Sequence, residues 1–252
     1  MAFARTVAAE TLDGLAENDP AARRSRRDLR RIHRAMRTRS IVVGALRAFT
    51  VPSRAPLRVL ELGAGDGSLM LGVARRLGRS WPAVELTLLD RQALVEPATL
   101  EAYAALGWRA SAQVADVLDW VAAPSVAAPH GDAAPHWDLI VANLFLHHFE
   151  GAQLAALIGA IAARGDRFVA CEPRRSALAL GGSGLVGALG ANAVTREDAV
   201  LSVRAGFRDA ELAALWPGAD EWRIHEGAAG LFSHCFRAER REAEGAARVV
   251  GG

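Results

Sequence analysis

The sequence predicts an α/β fold built on a mostly parallel sheet. From Leu57 onward, short apolar runs typical of buried strands alternate with longer segments that have helical spacing. Helices of this length between successive strands predict parallel strands joined by right-handed crossovers. The composition suits such a fold, because 51% of the 252 residues are hydrophobic and can bury a substantial core.

Residues 1–55 are predicted to form an N-terminal helical cap. Within it, Pro20 to Thr50 has helical character, with Asp19 as a typical N-cap and a proline in the first turn. Nine arginines lie between Arg23 and Arg39. We interpret them as the solvated face of an amphipathic helix, and the alternative is a contact with an anion or with nucleic acid.

Residues 56–240 are predicted to hold the sheet and its helices. The first five strands are LRVLELG, VELTLLD, a short strand within SAQVADVLDW, the stretch from Trp137 to Leu144, and RFVACEP. The helices between them are SLMLGVARRLGRSWP, which ends near Gly78, ALVEPATLEAYAALGW, with a break near Pro97, and QLAALIGAIAARG.

The region after the fifth strand is predicted to cover the sheet edge and then to complete the sheet. Residues 175–199 are glycine-rich and weakly patterned, which favours a cap insertion. DAVLSVRAGF has helical character, and EWRIHEGAAGLFSHCFRAER contains two strand-like pieces joined by a glycine turn. Residues 241–252 are predicted to be a flexible tail.

The stretch VLELGAGDGSL, from Val59 to Leu69, places three glycines at alternate positions between a strand and a helix. Such a turn lets a ligand approach the backbone N–H groups. Dinucleotide sites use G-x-G-x-x-G, whereas here the third glycine comes one residue early and Glu61 and Asp66 flank the turn. Because carboxylates repel a pyrophosphate, the pattern disfavours NAD and favours a ligand with cationic groups.

S-adenosylmethionine (SAM) carries such groups, namely a sulfonium and an amine, together with one carboxylate that a helix N-terminus can accept. Its ribose and adenine require hydrogen-bond acceptors. Asp90, which ends VELTLLD, can accept from both ribose hydroxyls, and Asp116, in QVADVLDW, can accept from the adenine amine.

These blocks resemble the class I SAM-dependent methyltransferases. The matching pieces are E-x-G-x-G-x-G from Glu61 to Gly67, the acids Asp90 and Asp116, and the fourth-strand block WDLIVANLFLHHF, in that order. The resemblance implies a Rossmann-like, mostly parallel seven-stranded sheet with helices on both faces and an antiparallel C-terminal strand. It implies SAM as the cofactor and the following cofactor-binding residues: Glu61, Gly63, Ala64, Gly65, Gly67, Asp90, Arg91, Asp116, Val117 and Asn143.

Two histidines that follow the fourth strand, His147 and His148, are the candidate catalytic residues. Methyl transfer is an in-line displacement at carbon, so positioning of the acceptor matters most, but an oxygen acceptor often also has to lose a proton. Adjacent residues at a helix start point about 100° apart, so we expect only one histidine to face the pocket. The alternative is that they pack against the cofactor, and no metal site is predicted because convincing partner ligands are missing nearby.

Arg174 and Arg175 follow the fifth strand and are candidate substrate-binding residues. Either guanidinium could clamp a carboxylate or phosphate of the acceptor. The alternative is a surface ion pair with Glu172.

The sequence therefore predicts a methyltransferase that acts on a small-molecule acceptor. The first expectation is O-methylation of a hydroxylated aromatic, polyketide-like or quinone-like secondary metabolite, and C-methylation of a similar ring is the nearest alternative. An RNA or protein methyltransferase is not favoured, because the net charge is only +2 and the N-P-P-Y or D-P-P-Y signature of base methylation is absent from the sequence. A non-catalytic protein that keeps the fold is the alternative outside enzymes.

The sequence also predicts where in the cell the protein is found. No stretch approaches the ~20 apolar residues that span a bilayer, and the start of the sequence lacks the pattern of a secretory signal. Two cysteines cannot build a disulfide framework. A cytoplasmic protein is expected, and a homodimer is compatible with the sequence.

Overall fold

The computed structural model describes residues 3–50, 56–78, 81–123 and 136–241. Its centre is one seven-stranded sheet with the order β3-β2-β1-β4-β5-β7-β6. The strands β1 to β5 pair in parallel, whereas β7 is antiparallel to both of its neighbours. The predicted mostly parallel sheet with an antiparallel last strand is confirmed. The strands are β1 Leu57–Leu62, β2 Val84–Asp90, β3 Trp108–Val114, β4 Leu139–Asn143, β5 Arg167–Pro173, β6 Trp222–Ala229 and β7 Ser233–Arg240.

Helices surround the sheet and precede it in the chain. They are α1 Thr11–Gly14, α2 Pro20–Ala35, α3 Thr38–Arg47, α4 Ser68–Leu77, α5 Pro97–Ala104, α6 Val117–Ala122, α7 Gly151–Arg164, α8 Ala177–Gly184 and α9 Ala193–Ala205. Short 3₁₀ turns lie at Leu146–His148, Val186–Leu189, Ala213–Leu215 and Ala219–Glu221. Among the described residues, none of the helices has the length and apolarity needed to cross a bilayer.

Each face of the sheet has its own apolar core, because successive strand residues point to opposite sides. On one face, Val59 of β1 packs with side chains of α3, α4 and α5. On the other face, Leu60 packs with side chains of α6 and α7 and with Phe168. Burial on both faces explains why the strands appear in the sequence as continuous apolar runs rather than as alternating ones.

The strand order creates a crevice in the middle of the sheet. From β1 the chain moves outward through β2 to β3 and then returns to place β4 on the other side of β1. At such a reversal the loops that follow the two central strands diverge and leave room for a ligand at the carboxyl ends of the strands. The glycine turn after β1 and the two histidines after β4 border this crevice.

The predicted helix from Pro20 to Thr50 is in fact two helices, α2 and α3. They are separated at Arg37, whose φ of 57° is left-handed and cannot continue a helix. The predicted start is confirmed, since the Asp19 side chain accepts from the N–H groups of Ala21 and Ala22.

The short strand predicted within SAQVADVLDW is present as residues 111–114, but β3 begins earlier, at Trp108, which was predicted to end the preceding helix. The second half of SAQVADVLDW forms α6. The reason is local, because the Asp116 side chain accepts from the N–H of Leu118 at 2.7 Å and so caps a helix at that point.

The segment predicted as a weakly patterned cap insertion holds α8 and the start of α9. Ser176 and Asn192 cap these helices through hydrogen bonds to the N–H groups of Ala179 and Thr195. These capping residues were the sequence signal for helix that the glycine content obscured. Of the predicted flexible tail, residues 242–252 lie outside the described residues.

The first residues of the chain run across the carboxyl edge of the sheet before α2. The N–H of Thr6 donates to Arg204 O at 3.1 Å, and the N–H groups of Thr11 and Leu12 donate to the Asp198 carboxylate at 2.8 and 3.0 Å. The anchoring residues, Asp198 and Arg204, belong to α9. This stretch, residues 3–19, is called the N-terminal segment below.

Candidate functional site

A cavity of about 800 Å³ lies at the carboxyl ends of β1, β2 and β4. The glycine turn forms its floor, and the N-terminal segment and α2 form its roof. Cavities of about 300–1,000 Å³ are typical of small-molecule sites. Of the predicted cofactor residues, nine line this cavity: Glu61, Gly63, Ala64, Gly65, Asp90, Arg91, Asp116, Val117 and Asn143.

The three glycines of the turn have left-handed backbones, with φ of 68° at Gly63, 56° at Gly65 and 71° at Gly67. A Cβ at Gly63 would lie 2.3 Å from the Phe145 ring, and one at Gly67 would lie 3.1 Å from Leu88. A Cβ at Gly65 would meet nothing within 4 Å in the described part of the chain, so it would project into free space. Two glycines are therefore required by packing, while the third keeps the backbone open to a ligand.

Asp90 is held rigidly at the end of β2. Its Oδ2 accepts from the N–H of Gly65 at 2.8 Å, and its Oδ1 accepts from the N–H of Gln92 at 2.9 Å. A carboxylate has about four lone-pair sites, so each oxygen can accept one further hydrogen bond. The glycine turn and Asp90 thus form one hydrogen-bonded unit with spare acceptor capacity.

Two acceptor oxygens beside this unit have no hydrogen-bond partner among the described residues. They are Glu61 Oε2 and Asn143 Oδ1, both buried and both on residues that line the cavity. Burial, together with the charges of Asp66 and Asp90, raises the pKa of Glu61 well above its ordinary value. Unsatisfied buried acceptors are costly, so this corner of the cavity suits a ligand that brings donors or positive charge.

The residue after β2 and the loop after β3 form the rim of the cavity. Arg91 is exposed and pairs with Asp13 of the N-terminal segment. Asp116 is exposed and uses one oxygen to cap α6, while Val117 is buried beside it. These residues give the rim a polar edge and an apolar wall.

His147 is fixed between two carboxylates. Its Nδ1 lies 2.8 Å from Glu172 Oε2, and its Nε2 lies 3.3 Å from Glu10 Oε1. Glu172 is itself held by the N–H groups of Phe145 and Leu146, each 3.0 Å from Oε1. Burial lowers the pKa of His147, but hydrogen bonds and charge from Glu10 and Glu172 outweigh it and raise the pKa to about 9.

His148 lies beside His147, with ring centroids 4.2 Å apart. Its Nδ1 is 3.3 Å from Asp13 Oδ2, and burial together with the neighbouring His147 lowers its pKa. Both residues border the cavity, and the His148 side chain is 23% exposed whereas that of His147 is only 3% exposed. The 3₁₀ turn at Leu146–His148 brings the two rings side by side.

The structure does not bring the two arginines after β5 to the cavity wall. Arg175 is buried and donates to Gly206 O at 3.1 Å, to Phe3 O and to Glu211. The backbone N–H of Arg174 donates to Phe232 O at 2.8 Å, and neither arginine is part of the lining. The alternative pairing with Glu172 is not formed either, because Glu172 is directed to His147.

Sequence reasoning predicted that the N-terminal helical cap covers the site, but it did not identify the side chains that the N-terminal segment and α2 contribute. Glu10 and Asp13 contact the histidine pair, and Arg30 of α2 pairs with Asp66 of the glycine turn at 2.6 Å. His33 of α2 lines the cavity, and burial and the nearby Arg39 lower its pKa to about 4. These partners are separated by 36 to 137 positions, so no local motif connects them.

No protein-family model and no curated protein sequence matches the chain. Solved structures do match. The plantazolicin methyltransferase BpumL in complex with SAH aligns with a TM-score of 0.60 over 89% of this chain and 92% of that chain, at 14% identity. The chain has the class I SAM-dependent methyltransferase fold.

Two further methyltransferase structures share this fold. An O-methyltransferase family protein from Burkholderia thailandensis has a TM-score of 0.52 and 17% identity, over 83% of this chain and 58% of that chain. The magnesium protoporphyrin IX methyltransferase ChlM from Synechocystis PCC 6803 with bound SAH has a TM-score of 0.50 and 17% identity, over 91% of both chains. At these identities the likeness establishes the fold, and function has to be argued from the site.

Proposed function

We propose that the chain is a SAM-dependent methyltransferase that acts on a small molecule. The observation that carries the proposal is the pair of buried oxygens, Glu61 Oε2 and Asn143 Oδ1, which find no partner in the described residues beside the glycine turn. The structural neighbours BpumL and ChlM, which are in complex with SAH, support the same cofactor.

The residues of the site fit this cofactor. Glu61 and Asn143 supply acceptors for its cationic methionine end, and the open face of Gly65 lets the backbone approach it. Asp90 keeps one lone pair on each oxygen for the ribose hydroxyls. Asp116, Val117 and Arg91 are proposed to border the adenine. When bound, SAM supplies a methyl group on a sulfonium, which is a good leaving group.

The acceptor is proposed to bind between the glycine turn and the N-terminal segment. Val7, Leu12, Leu29 and Phe149 give this part of the cavity an apolar lining, and His147 and His148 form its polar end. Such a lining favours a mainly apolar ring with a hydroxyl group. The N-terminal segment covers the space and keeps water from the reacting atoms.

O-methylation of a hydroxylated aromatic, polyketide-like or quinone-like metabolite therefore remains the preferred reaction. C-methylation of a similar electron-rich ring needs much the same pocket and is the second candidate. Part of the arginine run serves the cap itself, since Arg26 donates to Gln92 at 2.8 Å and Arg30 pairs with Asp66. Because these arginines have partners within the protein, they are weaker evidence for an RNA acceptor than the arginine-rich sequence alone suggested.

Calorimetry with SAM and SAH tests the cofactor assignment directly. We expect one site per chain and a marked loss of affinity in Asp90→Ala, because the ribose hydroxyls lose their acceptors. Asp119→Ala, an exposed acid on α6, is the matched control and should bind normally. Wild-type protein that binds neither compound would support the non-catalytic alternative.

The acceptor class is tested by transfer of a labelled methyl group from SAM. We expect label in hydroxylated aromatic or quinol compounds and none in RNA or protein. Transfer to RNA that declines with salt would instead favour the nucleic-acid alternative.

A further inference from the structure

Three metal-ligand side chains meet at the acceptor end of the cavity. One ligand atom from each of Glu10, His147 and His148 lies within 4.8 Å of the others. We propose that these three residues bind one divalent first-row transition-metal ion, with Zn²⁺ as the best match. Two imidazoles and one carboxylate are a ligand set found in zinc enzymes that keep a coordination position open.

The spacing of Glu10 and His147 is compatible with shared coordination of an ion. His147 Nε2 and Glu10 Oε1 form a long hydrogen bond of 3.3 Å. Two ligand atoms that each lie about 2.0–2.1 Å from a tetrahedral ion are also about 3.3 Å apart. The ligand atom of His148 lies within 4.8 Å of the other two, so this ring would have to close in on the ion.

His147 is already oriented as a metal-binding histidine would be. Glu172 Oε2 lies 2.8 Å from Nδ1 and accepts its proton, so Nε2 faces Glu10, and a bound ion would take the place of the Nε2 proton. Glu172 is fully buried and fixed by two backbone N–H groups. The Ser202 hydroxyl donates to Glu10 Oε1 and orients that carboxylate in turn. Carboxylates that hold the distal nitrogen of a ligating histidine are a regular part of metal sites.

The charges around the pair also favour a cation. Glu10 and Glu172 both face the single ring of His147, and Asp13 faces His148. Arg91 pairs with Asp13, and Arg5 donates to the backbone carbonyls of His147 and Phe149. Arg5 offsets part of the negative charge, while a divalent ion between Glu10 and the rings would balance it directly.

The site opens to the same cavity as the glycine turn, which gives the ion a role that rests on the proposed function. Three protein ligands leave a coordination position for water or for a hydroxyl oxygen of the acceptor. A bound ion would lower the pKa of that hydroxyl, so that its O–H bond would break and the proton would pass to water. The oxygen would then bond to the methyl carbon as the carbon–sulfur bond of SAM breaks, which would give the methyl ether and SAH.

The test uses full-length protein freed of metal by dialysis against a chelator. We expect Zn²⁺ to bind with a stoichiometry of one in calorimetry, and Co²⁺ to give the visible absorption of a low-coordinate nitrogen and oxygen site. Glu10→Gln and His148→Ala should each abolish the Co²⁺ spectrum. His225→Ala, which removes an exposed histidine of β6 outside the cluster, should bind the ion as the wild type does.

Glu172→Gln provides a graded readout, since loss of an outer carboxylate typically weakens metal binding about 10–100-fold without abolishing it. Circular dichroism shows whether each variant is folded. Wild-type protein that binds no ion, or binding that survives in both Glu10→Gln and His148→Ala, overturns the proposal. SAM affinity, measured on the metal-free protein, reports on the cofactor site separately, so failure of the metal site leaves that result intact.

Discussion

The buried Glu61 carboxylate is expected to favour ligand binding and to lower the stability of the ligand-free protein. It is buried at the end of β1, and its Oε2 has no hydrogen-bond partner in the parts of the chain that the structure describes. Burial and the charges of Asp66 and Asp90 raise its pKa. A group whose pKa is higher in the folded than in the unfolded chain binds more protons when folded, so ionisation at higher pH favours unfolding.

Glu61→Gln is therefore expected to stabilise the ligand-free protein and to weaken SAM binding. The gain in thermal stability over wild type should grow as the pH rises above the unfolded pKa of glutamate, about 4.3, and through the range in which the folded Glu61 stays protonated. Thermal unfolding at several pH values measures the first effect and calorimetry the second. Glu101→Gln, an exposed residue of α5, should change neither. A stability difference that shrinks with rising pH would contradict the assignment.

The backbone conformation of Gly65 likewise leaves room for a ligand at a cost in stability. Its φ of 56° is costly for other residues, and a Cβ would enter free space in the cavity. Gly107 has a φ of 79°, and a Cβ there would also meet nothing within 4 Å among the described residues, but this glycine lies outside the cavity lining. Both positions therefore carry the cost of a left-handed backbone, but only Gly65 lies where the proposed cofactor would bind.

Gly65→Ala and Gly107→Ala should each destabilise the protein by about 1–2 kcal/mol, the usual cost of a left-handed backbone for a residue with a Cβ. Only Gly65→Ala should also lose SAM affinity, because only there does the methyl group meet the ligand. Chemical denaturation of both variants measures the cost of the backbone strain. Calorimetry measures whether the added methyl group obstructs SAM binding. Equal SAM affinity in the two variants would remove the glycine turn from the cofactor site.

At the scale of elements, local signals predicted starts and ends well where side chains cap the helix themselves. Asp19 caps α2 as predicted, because N-cap geometry depends on residues only two or three positions away. The break at Arg37 was missed, because an arginine with a left-handed backbone has no sequence signature. Asp116 was predicted to accept from the adenine amine, and the structure shows that it also caps α6. An aspartate can serve both roles, so its residue type alone does not distinguish them.

The N-terminal segment was predicted only as part of a helical cap, but it is extended up to the short helix α1 and supplies side chains to the site. Its attachment depends on Asp198 of α9, which accepts from the N–H groups of Thr11 and Leu12. No pattern within residues 1–20 could predict this, because the partners are 186 and 187 positions away.

Asp198→Ala should release the N-terminal segment while the sheet stays folded. We expect faster hydrogen exchange in residues 5–14 and slower methyl transfer, because the roof of the cavity opens to water. Glu197→Ala, the exposed neighbour on the same helix, is the control and should leave both unchanged. Unaltered exchange in Asp198→Ala would show that other contacts hold the segment.

At the scale of the molecule, the sheet could be predicted from the sequence because its strands are buried on both faces. The five parallel strands appear as apolar runs separated by helices, and right-handed crossovers then restrict the topology. The proposed cofactor half of the site follows from this topology, since its residues lie at or just after the ends of β1, β2, β3 and β4. The side chains of the proposed acceptor half could not be predicted, because they come from the N-terminal segment, α2 and α9, which contact the sheet edge only in three dimensions.

The position of Glu10 has a consequence for how the protein matures. Glu10 precedes its partner His147 by 137 positions, and Glu172, which contacts the other nitrogen of the same ring, follows 25 positions after His147. The glycine turn and Asp90 can meet as soon as β1 and β2 pair, whereas His147 gains the Glu172 carboxylate only after β5 has joined the sheet. A nascent chain halted before β5 would carry the proposed cofactor residues without the carboxylate that orients His147, so the proposed acceptor end would be completed late in biosynthesis.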